Sequence, residues 1–254
     1  MTDLCRERGI GRVGATSALR EFGGLRTRSE AIRMIADRYR KHGVCADYFK
    51  KIDGERKAYW LGFLLADGSI TAAGEIKLRL SYRDREHIRA FANDIGYKGR
   101  PTVRVEKSFG KNIKTICIRF AHWEFVQHAE RSGLKRGKRN RGFGVPALPR
   151  GMYRHLVRGL VDGDGSIIES GYVKRIALCG YPHMLETVRS IIQDSIGIEG
   201  CRLVRVGKTK CWVLAYNGRY AVALGRWLYA GASRYLSRKR ATFDRWTKRG
   251  TSIR

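Results

Sequence analysis

Acidic residues are scarce in this chain. Its 254 residues hold 23 Asp and Glu against 52 Lys and Arg, a net charge of +29 at neutral pH. Small soluble domains sit within roughly 2–8 charges of neutrality. An excess of this size repels itself and points to a polyanionic partner, nucleic acid before an anionic membrane. Long apolar runs are missing too. No stretch approaches 18 consecutive apolar residues, so no membrane-spanning helix is expected. The opening MTDLCRERGIGR has no apolar signal core. The six cysteines, at 5, 45, 117, 179, 201 and 211, form no Cys-x-x-Cys pair, and the six histidines form no His-Glu-x-x-His. That argues against a structural zinc site, a disulfide scaffold and a zinc-protease helix. The expectation is a cytoplasmic, reduced, nucleic-acid-associated protein with no His/Cys metal centre.

What is present supports a real core. Apolar residues make up 43% of the chain, the ordinary globular level. At ~150 residues per domain the length fits one large domain or two modest ones. Residues 1–50 are basic, glycine-punctuated and helix-patterned. Ser29-Glu30 can cap a helix through Ile32, Ile35, Ala36 and Tyr39, and a shorter helical stretch near Ala18–Phe22 ends at Gly23-Gly24. Two short helices around a glycine turn fit either a helix-turn-helix or a basic cap on the main body.

Beyond Lys57 the chain reads twice. Ala58-Tyr-Trp-Leu-Gly-Phe-Leu-Leu-Ala-Asp67-Gly-Ser-Ile70 is matched by His155-Leu-Val-Arg-Gly-Leu-Val-Asp-Gly-Asp164-Gly-Ser-Ile167 at an offset of 97. Ile95-Gly96 pairs with Ile196-Gly197, Val103-Arg104-Val105 with Val204-Arg205-Val206, and Lys138 with Lys239, each at an offset of 101. Four matches in one order indicate an internal duplication. The periodicity in each copy predicts α-β-β-α-β-β-α: helices over 85–95, 122–132, 183–196 and 219–231, and strands around 76–80, 102–107, 114–120, 175–179, 201–206 and 211–216. The basic, Gly- and Pro-bearing segment 135–152 reads as the linker. The organisation is thus residues 1–50, a first repeat with linker over 51–150 and a second over 151–254, in the α+β class.

The matched helices carry the chemistry. Gly62 and Ala66 in one, Gly159 and Gly163 in the other, are spaced i,i+4 on one helix face. Small residues so spaced let two backbones approach closely. The other positions are apolar nearly all round, as expected of buried helices that pack on each other. Such packing brings Asp67 and Asp164 together at two helix C-termini, where the macrodipole is already negative. Carboxylates ~4 Å apart repel by about 4 kcal/mol at an effective dielectric of 20. A shared proton or a bound cation relieves this, and all-oxygen ligation suits Mg²⁺ or Mn²⁺ beside substrate phosphate. On a basic surface that chemistry is phosphodiester hydrolysis. A calcium loop does not fit: setting Gly165 at the loop glycine puts Leu160 and Gly171 at ligand positions.

Strand alternation separates two faces. Ile76, Leu78 and Leu80 face the core, with Lys77, Arg79 and Ser81 opposite. Arg104 and Arg205 are expected on the outward face, with Arg119, Arg175, Lys208 and Lys210 near it. Arginine can pair bidentately with guanine, and lysine more often takes phosphate. The set makes a basic groove.

Trp60-Leu-Gly-Phe-Leu-Leu-Ala-Asp67-Gly68 and Val157-Arg-Gly-Leu-Val-Asp-Gly-Asp164-Gly165 resemble two copies of the motif that names the LAGLIDADG homing endonucleases, and the chain is similar to their monomeric, double-motif members over roughly residues 55–245. The resemblance implies a saddle of two four-stranded antiparallel sheets over double-stranded DNA, built by one chain with internal pseudo-two-fold symmetry. It implies divalent metal at the eighth motif position, Asp67 and Asp164, and cleavage of both strands across the minor groove to leave short 3′ overhangs. It also implies a lysine near the scissile region after the last strands of each repeat, which points to Lys138 and Lys239. Trp60 and Arg158 depart from the motif, away from the aspartates. No terminal His-Asn accompanies it, so an intein-embedded form is not expected. Two alternatives keep the nucleic acid and drop the chemistry: a non-catalytic binder on the same scaffold (an RNA maturase or a transcription regulator) and a basic coat protein.

Overall fold

The computed structural model describes residues 43–108, 110–137, 144–209 and 211–249, all within the unit His42–Arg254. The helices expected before residue 41, together with Lys138 and Lys210, lie outside the described residues.

Helix α1 (Glu55–Asp67) buries eight successive residues, Ala58 to Leu65, as expected of a helix apolar on every side. Glu55 lies in its first turn, where the dipole favours a carboxylate. The helix stops at Gly68, which turns to extended backbone and donates its N–H to the Leu64 carbonyl. A Cβ on Gly68 would lie 2.5 Å from that same oxygen, so the step from helix to strand admits only glycine. Helix α4 (Tyr153–Asp164) ends the same way: Gly165 N–H donates to Val161, and a Cβ there would lie 2.4 Å from the Val161 oxygen.

The first repeat continues as β1 (Gly68–Ile70), β2 (Glu75–Ser81), α2 (Arg85–Asp94), β3 (Thr102–Ser108), β4 (Lys111–Ala121) and α3 (Trp123–Arg131). After α4 the second runs β5 (Gly165–Ser170), β6 (Val173–Gly180), α5 (Pro182–Ile196), β7 (Val204–Arg205), β8 (Trp212–Asn217) and α6 (Gly218–Tyr229). The αββαββα order predicted from periodicity is therefore present twice. The strands form two antiparallel four-stranded sheets, ordered β1-β2-β4-β3 and β5-β6-β8-β7. Alternation buries Ile76, Leu78, Leu80, Ile116, Ile118 and Phe120 beneath the first sheet, and Ile176, Leu178, Leu214 and Tyr216 beneath the second. A single hydrophobic cluster joins these with α1 and α4, so the motif helices form the centre of one core.

Two features depart from the sequence reading. A further helix, α7 (Ser237–Arg249), follows the second repeat. It buries Phe243 and Trp246, and Phe243 packs so closely on α6 that a Cβ on Gly225 would lie 2.2 Å from its ring. The strand expected over 201–206 pairs only at Val204–Arg205, and its register corrects the placement of Arg205. Arg104 pairs with Thr115 on the outward face of the first sheet. Arg205 instead pairs with Trp212, on the face that carries Leu214 and Tyr216. The pairing has slipped by one residue between the copies, and a one-residue slip moves every side chain to the opposite face. The Arg205 guanidinium folds back onto the Thr209 carbonyl at 2.8 Å and closes its own turn.

Candidate active site

The site is built where α1 and α4 cross. A Cβ on Gly62 would lie 2.1 Å from the Leu156 carbonyl oxygen, and one on Gly159 would lie 2.2 Å from that of Tyr59. The 97-residue offset that relates Gly62 to Gly159 also relates Tyr59 to Leu156, so each helix offers the other the same contact. One turn on, a Cβ on Gly163 would lie 2.4 Å from the Ala66 methyl and 3.6 Å from Asp67 Oδ2. The seam therefore brings the Asp67 carboxylate against the residue preceding Asp164.

Both aspartates are exposed residues at the surface, while the protein packed around their carboxyl groups displaces part of their hydration. The loss of hydration raises both pKa values. Asp164 is pushed up to about 7, by desolvation first and by the Asp67 charge second, against the pull of Lys239. Asp67 is also raised by desolvation, opposed by Lys239 and Arg238. The donor set fits a hard divalent cation: two oxygen ligands whose repulsion a positive charge would cancel, with room on the solvent side for water and phosphate. Among the described residues no group of three or more Asp, Glu, His or Cys side chains is placed to hold a metal ion.

Lys239 sits elsewhere than a free catalytic amine. Carried on the first turn of α7, it is 5% exposed and donates to the carbonyls of Val161, Asp162 and Gly165 at 2.6–2.7 Å, with Gly163 at 3.2 Å. These carbonyls close the last turn of α4 and the glycine that follows it, so the ammonium caps the helix that carries Asp164. Burial lowers the lysine pKa to about 8, and the nearby aspartates hold it up. Arg238, its neighbour, pairs with Asp84 of the first repeat at 3.1 Å. In the first repeat, Gly137 N–H bonds the Ile70 carbonyl at 3.0 Å, so the chain approaching Lys138 runs beside β1.

Two buried groups beneath the site had no functional reading from the sequence. Asp162, fully buried, accepts from Tyr59 Oη (2.9 Å), Tyr229 Oη (2.7 Å) and the Leu236 N–H (2.7 Å). It anchors the start of α7, and with it Lys239. Arg158, also fully buried, donates to Glu55 of the first repeat and to the Leu228 and Arg234 carbonyls, each at 2.8 Å. It ties α4 to the start of α1, the end away from the aspartates. The signal for both was a charged residue inside an otherwise apolar helix, which requires a partner.

The sheet faces opposite the core differ between repeats. On the first, Lys77 pairs with Arg119, Arg79 with Cys117, and Arg104 with Thr115. Glu106 holds the Arg79 guanidinium and Glu75 the Arg119 one, at 3.6 Å. On the second, Arg175 is the one charged residue in β6–β8 on this face, opposite Ile168 and Asn217. Lys208 is exposed in the turn beyond β7.

A scan against family models finds no match, and no curated protein sequence is significantly similar to the chain. Solved structures do match. The homing endonuclease I-WcaI bound to its DNA recognition sequence matches with a TM-score of 0.54 and 11% identity, over 76% of this chain and 90% of that one. The I-LtrWI LAGLIDADG homing endonuclease bound to target DNA gives 0.50 and 10%, over 82% and 92%. Full-length DUF199/WhiA from Thermatoga maritima gives 0.51 and 14%, over 82% of this chain and 66% of that one, so the chain spans about two thirds of that protein. The fold is that of the LAGLIDADG endonucleases. In the two motif helices Asp67 and Asp164 hold equivalent positions, one before the glycine that ends each helix. Asp162 stands where the first copy has Leu65. Among the described residues no helix is long and apolar enough to cross a membrane.

Proposed function

We propose that this protein is a site-specific, divalent-metal-dependent endonuclease of double-stranded DNA that works as a single chain supplying both motifs. One observation carries the reading. Two equivalent carboxylates stand at abutting helix ends, each helix running into its own four-stranded sheet, in a chain of net charge +29. Asp67 and Asp164 would hold Mg²⁺ or Mn²⁺ there; such a cation supplies Lewis-acid polarisation of the phosphate and lowers the pKa of water. The chain's own residues do the rest. The glycine seam fixes the separation of the two carboxylates, Lys239 holds the end of α4 beneath Asp164, and Lys77, Arg79, Arg104, Arg119 and Arg175 orient the duplex through phosphate and base contacts.

A second reading, a non-catalytic binder such as an RNA maturase or a transcription regulator, is favoured by one feature: the Lys239 ammonium is spent on helix carbonyls. Incubation with a randomised-site duplex library and Mg²⁺ or Mn²⁺, followed by sequencing of ends, separates the two. Defined ends support the nuclease. Enrichment of bound sequences with no ends supports the binder.

A further inference from the structure

The second sheet presents an aliphatic surface where the first presents a charged one. Strand register puts Ile168, Val173, Ala177 and Cys179, from β5 and β6, on one face with Val213 and Ala215 of β8 and Val204 of β7. Val206 extends it, its N–H bonded to the Cys211 carbonyl. Ile168 is 45% exposed, Val173 56%, Val204 62% and Val206 43%. Ser166, Ser170, Arg175 and Asn217 share this face, so Ile168 and Val173 lie at one end and Val204 and Val206 at the other. Single exposed aliphatics need no explanation, but a sheet face with one charged residue among so many apolar ones does. The opposite face is covered: Lys174 bonds the Trp246 carbonyl of α7 at 3.2 Å, and Arg245 pairs with Glu169 at 3.6 Å. The bare face is therefore the one that the repeat turns towards a partner.

We infer that the second repeat reads a thymine-rich half-site through the 5-methyl groups of thymine in the major groove, while the first repeat reads its half-site with charged and polar side chains. The inference rests on the proposal that the chain binds duplex DNA. The thymine methyl is the one apolar group on a base-pair edge, and it is displayed only in the major groove. Ala177 and Ala215, small and nearly buried at the centre of the face, leave room for base edges to approach the sheet. Arg175 and Asn217 cross the face in one row with Ile168 and supply polar contacts at that level. The net charge of +29 selects a polyanion as the occupant over a second, equally basic copy of the chain.

The test uses the full chain under reducing conditions, because Cys179 and Cys211 are free thiols. A duplex is selected from a randomised pool without metal, so that binding is read apart from cleavage. It is then resynthesised with deoxyuridine for thymidine in one half at a time. The expected result is thymine enrichment in one half and, in that half alone, about fourfold weaker binding per contacted methyl removed. Ile168→Ser with Val204→Ser, both exposed positions, should abolish the thymidine-over-deoxyuridine preference with an unchanged melting temperature. Ile113→Ser on the first sheet should leave the preference intact. Indifference to deoxyuridine in both halves of a selected duplex overturns the inference while duplex binding stands, as does a preference that survives in the serine variant. A chain that is dimeric without DNA and made monomeric by the serine substitutions also overturns it, by assigning the face to a second copy. Failure to select any duplex removes the underlying DNA-binding proposal, and the inference with it.

Discussion

Lys239 Nζ lies 2.6 Å from the carbonyl oxygen of Gly165, the residue that follows Asp164, and the same ammonium also reaches the carbonyls of Val161 and Asp162. A side chain from the C-terminal helix thus closes the end of the second motif helix. Lys239→Met keeps the aliphatic stem and removes every donor. Leaving buried carbonyls unpaired should cost on the order of 3 kcal/mol. Equilibrium denaturation should report that loss, and an unchanged midpoint would remove the capping role.

The two aspartates invite the opposite expectation for stability. Their raised pKa values mean that the folded state holds a proton more tightly than the unfolded chain, so their contribution weakens as pH rises from the ordinary carboxylate value of 3.8 through about 7 for Asp164. Asp67→Asn and Asp164→Asn remove the repulsion. Each should leave the melting temperature at neutral pH unchanged or higher. Cleavage should fall by orders of magnitude and metal-free DNA affinity should stay the same or rise. A double variant that still cuts refutes the nuclease assignment of these residues.

The motif seam tolerates no added carbon. Gly62→Ala and Gly159→Ala each place a Cβ about 2 Å from a carbonyl oxygen of the facing helix, which the backbone can meet only by separating. Overpacking of this kind costs about 3 kcal/mol or more when the obstacle is main chain. Gly151→Ala, with open space around it, is the control and should be near neutral. Thermal melts of the three variants check the ranking.

Two buried histidines make the fold acid-sensitive. Burial holds the His87 pKa down at about 3 and that of His155 at about 4, the latter also beside Arg158 and Arg154. Both are neutral in the folded state, while the unfolded chain binds protons near the ordinary value of 6.5. The unfolded state therefore carries more protons below that value, and stability should drop as pH falls from about 6.5 towards 4. Melting temperatures across this range should show the slope, and His87→Gln should flatten it. An equal slope in the variant would assign the acid sensitivity elsewhere.

Much of the fold was legible in the chain because local pattern encodes it. Period-2 and period-3.6 apolar spacing set the αββαββα order, and the Asp-Gly steps show where each motif helix must become a strand. The duplication placed Asp67 and Asp164 in equivalent positions. The small residues at i,i+4 indicated which helix faces could approach.

Sequence alone determined the αββαββα order, its repetition and the faces by which the motif helices meet, since apolar period and small-residue spacing depend on neighbours a few residues apart; helix α7 it left unread. The tertiary structure decided what depends on distant ones. Arg205 left the outward face because strand register is set between β7 and β8, not within either. Lys239 became a helix cap because its acceptors lie 74 to 78 residues away, at the end of α4 and the first residue of β5. Asp162 and Arg158 are satisfied by partners 67 to 103 residues distant. A buried charge announces that it needs a partner, but only the folded chain, where desolvation makes that partner obligatory, chooses which one.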